Sequence, residues 1–235
     1  LIELTFFRHG QAGSRLDYDQ LSDNGREQAR LLGRYLASTQ VCFEQIVCGE
    51  LRRQRETCSL VLAELDAGGV PYPAPQFSPL WNEFDLDLVY RHVAAALAEA
   101  DPAFARDFAE LQAQVAANSD GIHRRWTHTD SQIIQAWVTG RFELPIEGWD
   151  QFRERILAAR STLAAGAPRV AVFTSATPIS IWMSAALGID TPRTLRLAGA
   201  QYNTSISRFV LAGTEPVLSS FNETPHLPAP LRTLR

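Results

Sequence analysis

Ile2-Glu3-Leu4-Thr5-Phe6-Phe7-Arg8-His9-Gly10 opens with an apolar run and ends on a guanidinium, an imidazole and a glycine. Residues 2–7, with their aromatic and β-branched side chains, read as a buried strand. The Arg-His pair falls where that strand stops and its loop begins. In open α/β sheets the ligand crevice lies at the carboxyl ends of strands. A His placed there has the chemistry to attack phosphorus, and an adjacent Arg offers phosphate oxygens a planar fork of donors. The triplet has little specificity by itself, so its meaning depends on the rest of the chain.

The following residues alternate between helix and strand patterns. Ser22 reads as the N-cap of a helix over about 23–38, with Ala29, Leu32, Gly33 and Leu36 on one face. Gln45–Cys48 is a short strand, a helix follows over about 52–66, and Gly68–Pro75 is a connection. Between about 84 and 146 the pattern changes to alanine-rich amphipathic segments, His92–Ala100, Pro102–Asn118 and Ser131–Thr139, with no strand among them. This stretch reads as a helical insertion, a candidate lid over the strand ends. A helix near 148–165, a buried strand at Arg169–Thr174, a helix over about 178–187 and two late strands near 205–211 and 216–221 follow. Together these elements predict an α/β fold, a three-layer α/β/α sandwich with a mainly parallel sheet and a helical insertion.

Cys48-Gly49-Glu50-Leu51-Arg52-Arg53-Gln54-Arg55-Glu56-Thr57 is the second informative segment. It is another strand end running into a helix N-terminus, where backbone N–H groups and the helix dipole favour an anion. Successive residues on that helix project about 100° apart, so Arg52, Arg53 and Arg55 do not all face one pocket. Arg55 is expected on a solvated face.

These segments resemble the histidine phosphatase superfamily, also called phosphoglycerate mutase-like. Arg8-His9-Gly10 matches its nucleophile triplet. Leu21-Ser22-Asp23-Asn24-Gly25-Arg26-Glu27-Gln28-Ala29 is similar to its L-[ST]-x-x-G-x-x-Q-A helix start, and Leu51-x-Arg53-x-x-x-Thr57 to its S-x-L-x-R-x-x-x-T segment. Leu80-Trp81-Asn82-Glu83-Phe84-Asp85 falls where the family carries an acidic proton donor, and Tyr202-Asn203-Thr204-Ser205-Ile206 looks like its late N-x-S-[IV] strand. The resemblance covers most of the chain outside 84–146 and implies a single domain over 1–235 with that insertion. It further implies a metal-independent phosphomonoesterase with a phosphohistidine at His9 and with Arg8 and Arg53 on the phosphate oxygens. Glu83 is the expected acid, which must hold a proton at working pH; Asp85, two residues on, is its rival.

One departure from the family stands out. Where its pattern places a second His after the late strand, this chain reads Thr174-Ser175-Ala176, so Ser175 takes the phosphate-binding position. Serine brings one neutral hydroxyl in place of a charged, directed donor, and charged hydrogen bonds are roughly twice as strong as neutral ones. Two functional classes follow. One is a phosphatase with activity weakened at Ser175; the other is a non-catalytic pseudoenzyme whose pocket binds a phosphorylated ligand or partner.

Composition narrows the partners. The 235 residues are 46% hydrophobic and 20% charged, ordinary for a globular chain, and the net charge of −4 argues against a broad nucleic-acid or anionic-membrane footprint. A phosphorylated small molecule or phosphopeptide is the expected ligand, with no nucleic acid and no membrane; oligomeric state is left open. Cys42, Cys48 and Cys58 form no C-x-x-C pair and read as reduced thiols of a cytoplasmic protein. The chain opens as a strand rather than a basic segment leading into an apolar helix, so no secretory signal is expected in these residues, although a leader removed ahead of Leu1 stays open. No nucleotide loop or metal motif is present, so no cofactor and no metal is expected.

Overall fold

The strand Ile2–Arg8 (β1) sits inside a six-stranded sheet with Phe6 on one face and Phe7 on the other. The computed structural model describes residues 1–119, 121–213 and 215–234. After β1 come α1 (Asp23–Ser38), β2 (Gln45–Cys48), α2 (Arg52–Ala67), the two-residue β3 (Gln76–Phe77), α3 (Leu86–Ala100), α4 (Pro102–Ala116), α5 (His128–Val138) and α6 (Trp149–Ala158). The chain continues with β4 (Arg169–Thr174), α7 (Ala176–Leu187), α8 (Thr191–Ala200), β5 (Ile206–Ala212) and β6 (Glu215–Glu223). The strands lie in the order β3-β2-β4-β1-β5-β6. Pairing is parallel from β3 through β1 and antiparallel at β5 and β6, so the sheet is mixed.

Two aromatic clusters hold helices to the two faces. Phe6 packs against Trp81, Trp182 of α7 and Phe209 at ring separations of 5.7, 5.3 and 5.1 Å. Phe7 meets Phe173 and Phe43 at 5.0 and 6.0 Å, and shares its buried cluster with Leu32 and Leu36 of α1 and Val61 and Leu65 of α2. Each fully buried Phe contributes about 1.5–3 kcal/mol relative to leaving it in water. The alternation along one strand thus builds the three layers.

The chain divides into two compact units, Leu1–Gly13 with Asp17–Glu83 and Ile156–Arg235, and Ser14–Leu16 with Phe84–Arg155. The second is helical. Asp85 caps α3 by accepting from the Leu88 N–H, Asp101 caps α4 with Pro102 in its first turn, and a Thr127–Asp130 capping box starts α5. Phe84, Trp137, Trp149 and Phe152 pack as an aromatic group within it. Arg15 donates to both carboxylate oxygens of buried Asp130, at 2.9 and 2.6 Å, which ties the 14–16 segment to this unit.

Two elements go beyond the sequence reading. The two-residue β3 is too short to show a period. The α8 helix buries only Thr194; its signal is the Asp190 cap with Pro192 behind it. In addition α7 begins at Ala176 rather than near 178, because Pro178 falls in the first turn, where its missing N–H would have had no partner. Ser175 therefore becomes the N-cap. No helix among the described residues is long and apolar enough to cross a membrane.

Candidate active site

The residues around His9 are held by their backbone before any side chain acts. The His9 N–H donates to the Thr174 carbonyl at 3.0 Å, and the His9 carbonyl accepts from the Thr204 N–H at 3.2 Å and from Asn203 Nδ2 at 3.5 Å. The Gly10 N–H donates to Thr57 Oγ1 at 3.0 Å, and the Gln11 N–H to Gln28 Oε1 at 2.8 Å. Thr57 in turn donates to the Arg53 carbonyl at 2.7 Å. The scattered motif residues Gln28, Thr57, Asn203 and Thr204 thus share one task, fixing three consecutive peptide units. Gly10 and Gly25 are required by the same packing: a Cβ on either would come within 2.3 and 2.1 Å of a backbone oxygen.

The His9 ring is 3% exposed. Its Nδ1 lies 2.7 Å from the Gly10 carbonyl, which only accepts, so Nδ1 carries the proton and Nε2 is left with its lone pair. Arg53 Nε donates toward that Nε2 across 3.3 Å. Burial first, then the positive charges of Arg53 and Arg8, holds the His9 pKa well below 6.5, while the Gly10 bond works the other way. The imidazole is therefore neutral at neutral pH.

Arg8 and Arg53 are each 5% exposed. Arg8 Nη1 donates to the Gln201 carbonyl, and Arg53 Nη1 forms an ion pair with Asp19 at 2.8 Å. The Asp19 carboxylate also accepts from the Arg52 N–H at 3.0 Å, so it occupies the N-terminus of α2. The Arg53 guanidinium lies over the Tyr18 ring, 5.1 Å from its centre. Arg55 is exposed, as expected, beside Glu50 and over Phe77.

Ser175 follows Thr174, and Thr174 pairs in register with Arg8 across β4 and β1. That register sets Ser175 abreast of His9 at the carboxyl edge of the sheet. Its Oγ accepts from Gln54 Nε2 at 2.8 Å. Glu83 Oε2 accepts from the Thr177 N–H at 3.2 Å, two residues past Ser175, which brings the carboxylate to the same sheet edge. Asp85 is committed to capping α3. Among the described residues no group of three or more His, Cys, Asp or Glu side chains is placed to hold a metal ion.

Two contributors were not singled out from sequence. Gln54 gives no signal, since a polar residue next to Arg53 looks like one more solvated helix position. Asp19 is separated from Arg53 by more than thirty positions, and only the fold brings them together. Of the other imidazoles, His123 Nδ1 accepts from the Arg15 N–H, and His226 lies beside Thr204 and Tyr35.

Known proteins share this fold. A Caenorhabditis briggsae protein named serine/threonine-protein phosphatase Pgam5, mitochondrial, is 26% identical over 155 residues, 60% of this chain and 51% of that protein. The chain thus spans about half the length of that curated relative. Among solved structures, Bacillus stearothermophilus YhfR superposes with a TM-score of 0.62 at 16% identity, covering 96% of this chain and 99% of its own. A mycobacterial glucosyl-3-phosphoglycerate phosphatase does so with a TM-score of 0.59 at 16% identity, covering 95% and 100%. The model of the histidine phosphatase superfamily (branch 1) matches residues 4–123 and 90–224, and the chain belongs to that superfamily.

Proposed function

We propose that this chain is a metal-independent phosphomonoesterase that works through a phosphohistidine at His9. The observation that carries the proposal is the fixed tautomer of His9, with Nδ1–H on the Gly10 carbonyl and the Nε2 lone pair facing the guanidinium of Arg53. In the first step the Nε2 lone pair bonds to phosphorus and the ester P–O bond breaks. The leaving alkoxide takes a proton from Glu83. Water then attacks the phosphohistidine and gives its proton back to Glu83, so phosphate leaves with the ring restored. Arg8 and Arg53 hold the non-bridging oxygens and supply the positive charge that phosphoryl transfer requires. Once Nε2 carries phosphorus the ring is cationic, and the Gly10 carbonyl stabilises that charge.

A phosphorylated small molecule or a phosphopeptide is the substrate class. The relative named a serine/threonine-protein phosphatase supports the second, and the neighbour named for glucosyl-3-phosphoglycerate supports the first. A cytoplasmic location is part of the proposal, read from three free thiols against a relative whose name places it in mitochondria; fractionation of cells expressing the tagged chain separates the two.

The test is hydrolysis of p-nitrophenyl phosphate from acid to neutral pH, beside His9→Ala. Turnover that the variant abolishes, together with an acid-labile, alkali-stable phosphate on the wild-type protein, supports the enzyme. A second reading, a pocket that binds phosphate without turnover, is favoured by the neutral Ser175 hydroxyl and by Asp19 on Arg53. Binding of inorganic phosphate with no His9-dependent hydrolysis would select it.

A further inference from the structure

Gln54 is completely buried, one position from Arg53, and every polar atom of its amide is committed. Its Oε1 accepts from the Leu51 N–H at 3.3 Å, and its Nε2 donates to the Trp81 carbonyl at 3.3 Å and to Ser175 Oγ at 2.8 Å. The first two contacts fix which end of the amide is which, because an N–H only donates and a carbonyl only accepts. Nε2 therefore faces Ser175 as a donor. The amide also needs Gly49: a Cβ there would lie 2.0 Å from Oε1 and 2.6 Å from Cδ.

Ser175 is 1% exposed and stands at the N-cap of α7, yet its side chain does not cap that helix, the usual use of a serine there. Its Oγ accepts a hydrogen bond from Gln54. Among the described residues nothing accepts the Ser175 hydroxyl proton. A hydroxyl whose oxygen is already occupied by a donor must offer its hydrogen elsewhere, and Ser175 lies at the sheet edge beside His9.

We infer that Gln54 is a positioning residue: it holds Ser175 Oγ as an acceptor so that the serine hydroxyl is presented as a donor to the bound phosphate. This rests on the proposed phosphate site. Gln54 and Ser175 then act as one unit, a neutral donor and its buttress, at the position where the family pattern has an imidazole.

The test is a double-variant cycle on the full chain with Gln54→Leu, Ser175→Ala and both together. It reads kcat and KM for p-nitrophenyl phosphate and, by calorimetry, the affinity for inorganic phosphate. Each single variant should lower kcat or phosphate affinity about ten-fold, the worth of one neutral hydrogen bond, and the double variant should lose no more than either single one. Gln54→Glu, nearly the same shape, adds a readout that packing alone would not move. As a carboxylate it accepts the hydrogen bond of the Ser175 hydroxyl, drawing it from the phosphate, and the loss deepens; as a carboxylic acid at low pH it donates to Oγ, and activity or affinity recovers. Losses that simply add, or a Gln54→Glu defect that is flat with pH, would overturn the inference. If the wild type shows no His9-dependent hydrolysis, the phosphatase reading fails, while the calorimetric cycle still decides the role of Gln54.

Discussion

The Nε–H of Arg53 points at Nε2 of His9 across 3.3 Å, the nitrogen left unprotonated by the bond from Nδ1 to the Gly10 carbonyl. The ring is thus held neutral beside a permanent cation, and burial pushes its pKa in the same direction. Observed by NMR of the ring nitrogens at pH 6, where an ordinary His is mostly imidazolium, His9 should still show one bare nitrogen. Arg53→Met removes one positive charge and should move the titration up towards 6.5, though burial keeps it below. A fully protonated His9 ring in the wild type at that pH contradicts this account.

Asp19 sits on Arg53 Nη1 and on the first N–H groups of α2, groups that the proposed mechanism assigns to phosphate or that favour an anion. Its side chain is about half exposed, at 48%, so the ion pair itself is weak. Its effect is on competition for the same cation. Asp19→Asn should tighten inorganic phosphate or vanadate about 2- to 10-fold, with little change in thermal stability. Unchanged or weaker binding in a titration would mean that Asp19 orients Arg53 rather than screening it.

Gly25 lies in the first turn of α1, against the loop that carries His9, and a Cβ there would lie 2.1 Å from the Gln11 carbonyl oxygen. The obstacle is backbone, which cannot rotate away as a side chain would. Gly25→Ala should therefore cost about 3 kcal/mol or more, at or beyond the upper end of ordinary overpacking, and should displace the peptide units that hold His9. Urea denaturation checks the first effect. A stability within about 1 kcal/mol of wild type would show that the loop yields cheaply.

How legible the molecule is from sequence depends on whether each signal is local. Ser22 capping Gly25, the β2 run and the strand Arg169–Thr174 are local patterns, and each element appears with the bounds its residues indicate. Arg53 is separable from Arg55 on sequence because resemblance adds what helical spacing leaves undecided. Gln54 and Asp19 are different. Nothing in a glutamine at a helix start tells of Ser175, 121 positions away, and nothing in Asp19 tells of Arg53. The same holds for Gln28 and Thr57, whose motif positions are readable while their partners, the Gln11 and Gly10 N–H groups, emerge only when β1 and the two helices are packed.

His226, one contact behind Thr204, offers a test of how stability depends on pH. It is buried, its Nε2 lies 3.0 Å from Thr204 Oγ1, its Nδ1 has no hydrogen-bond partner among the described residues, and burial lowers its pKa from 6.5 to about 4. Above pH 6.5 the ring is neutral whether the chain is folded or not, so it adds no pH dependence there. As pH falls from 6.5 towards 4 the unfolded chain takes up a proton that the folded one refuses, and stability declines by up to about 3 kcal/mol from this group. His9, also lowered, adds to the loss in the acid range. His226→Gln places an amide nitrogen near the Nε2 position and cannot ionise, so its stability should fall less steeply with acid than that of the wild type. Denaturation curves of both proteins at pH 7 and pH 4.5 measure the difference; equal slopes would mean that His226 takes up its proton in the folded chain without cost.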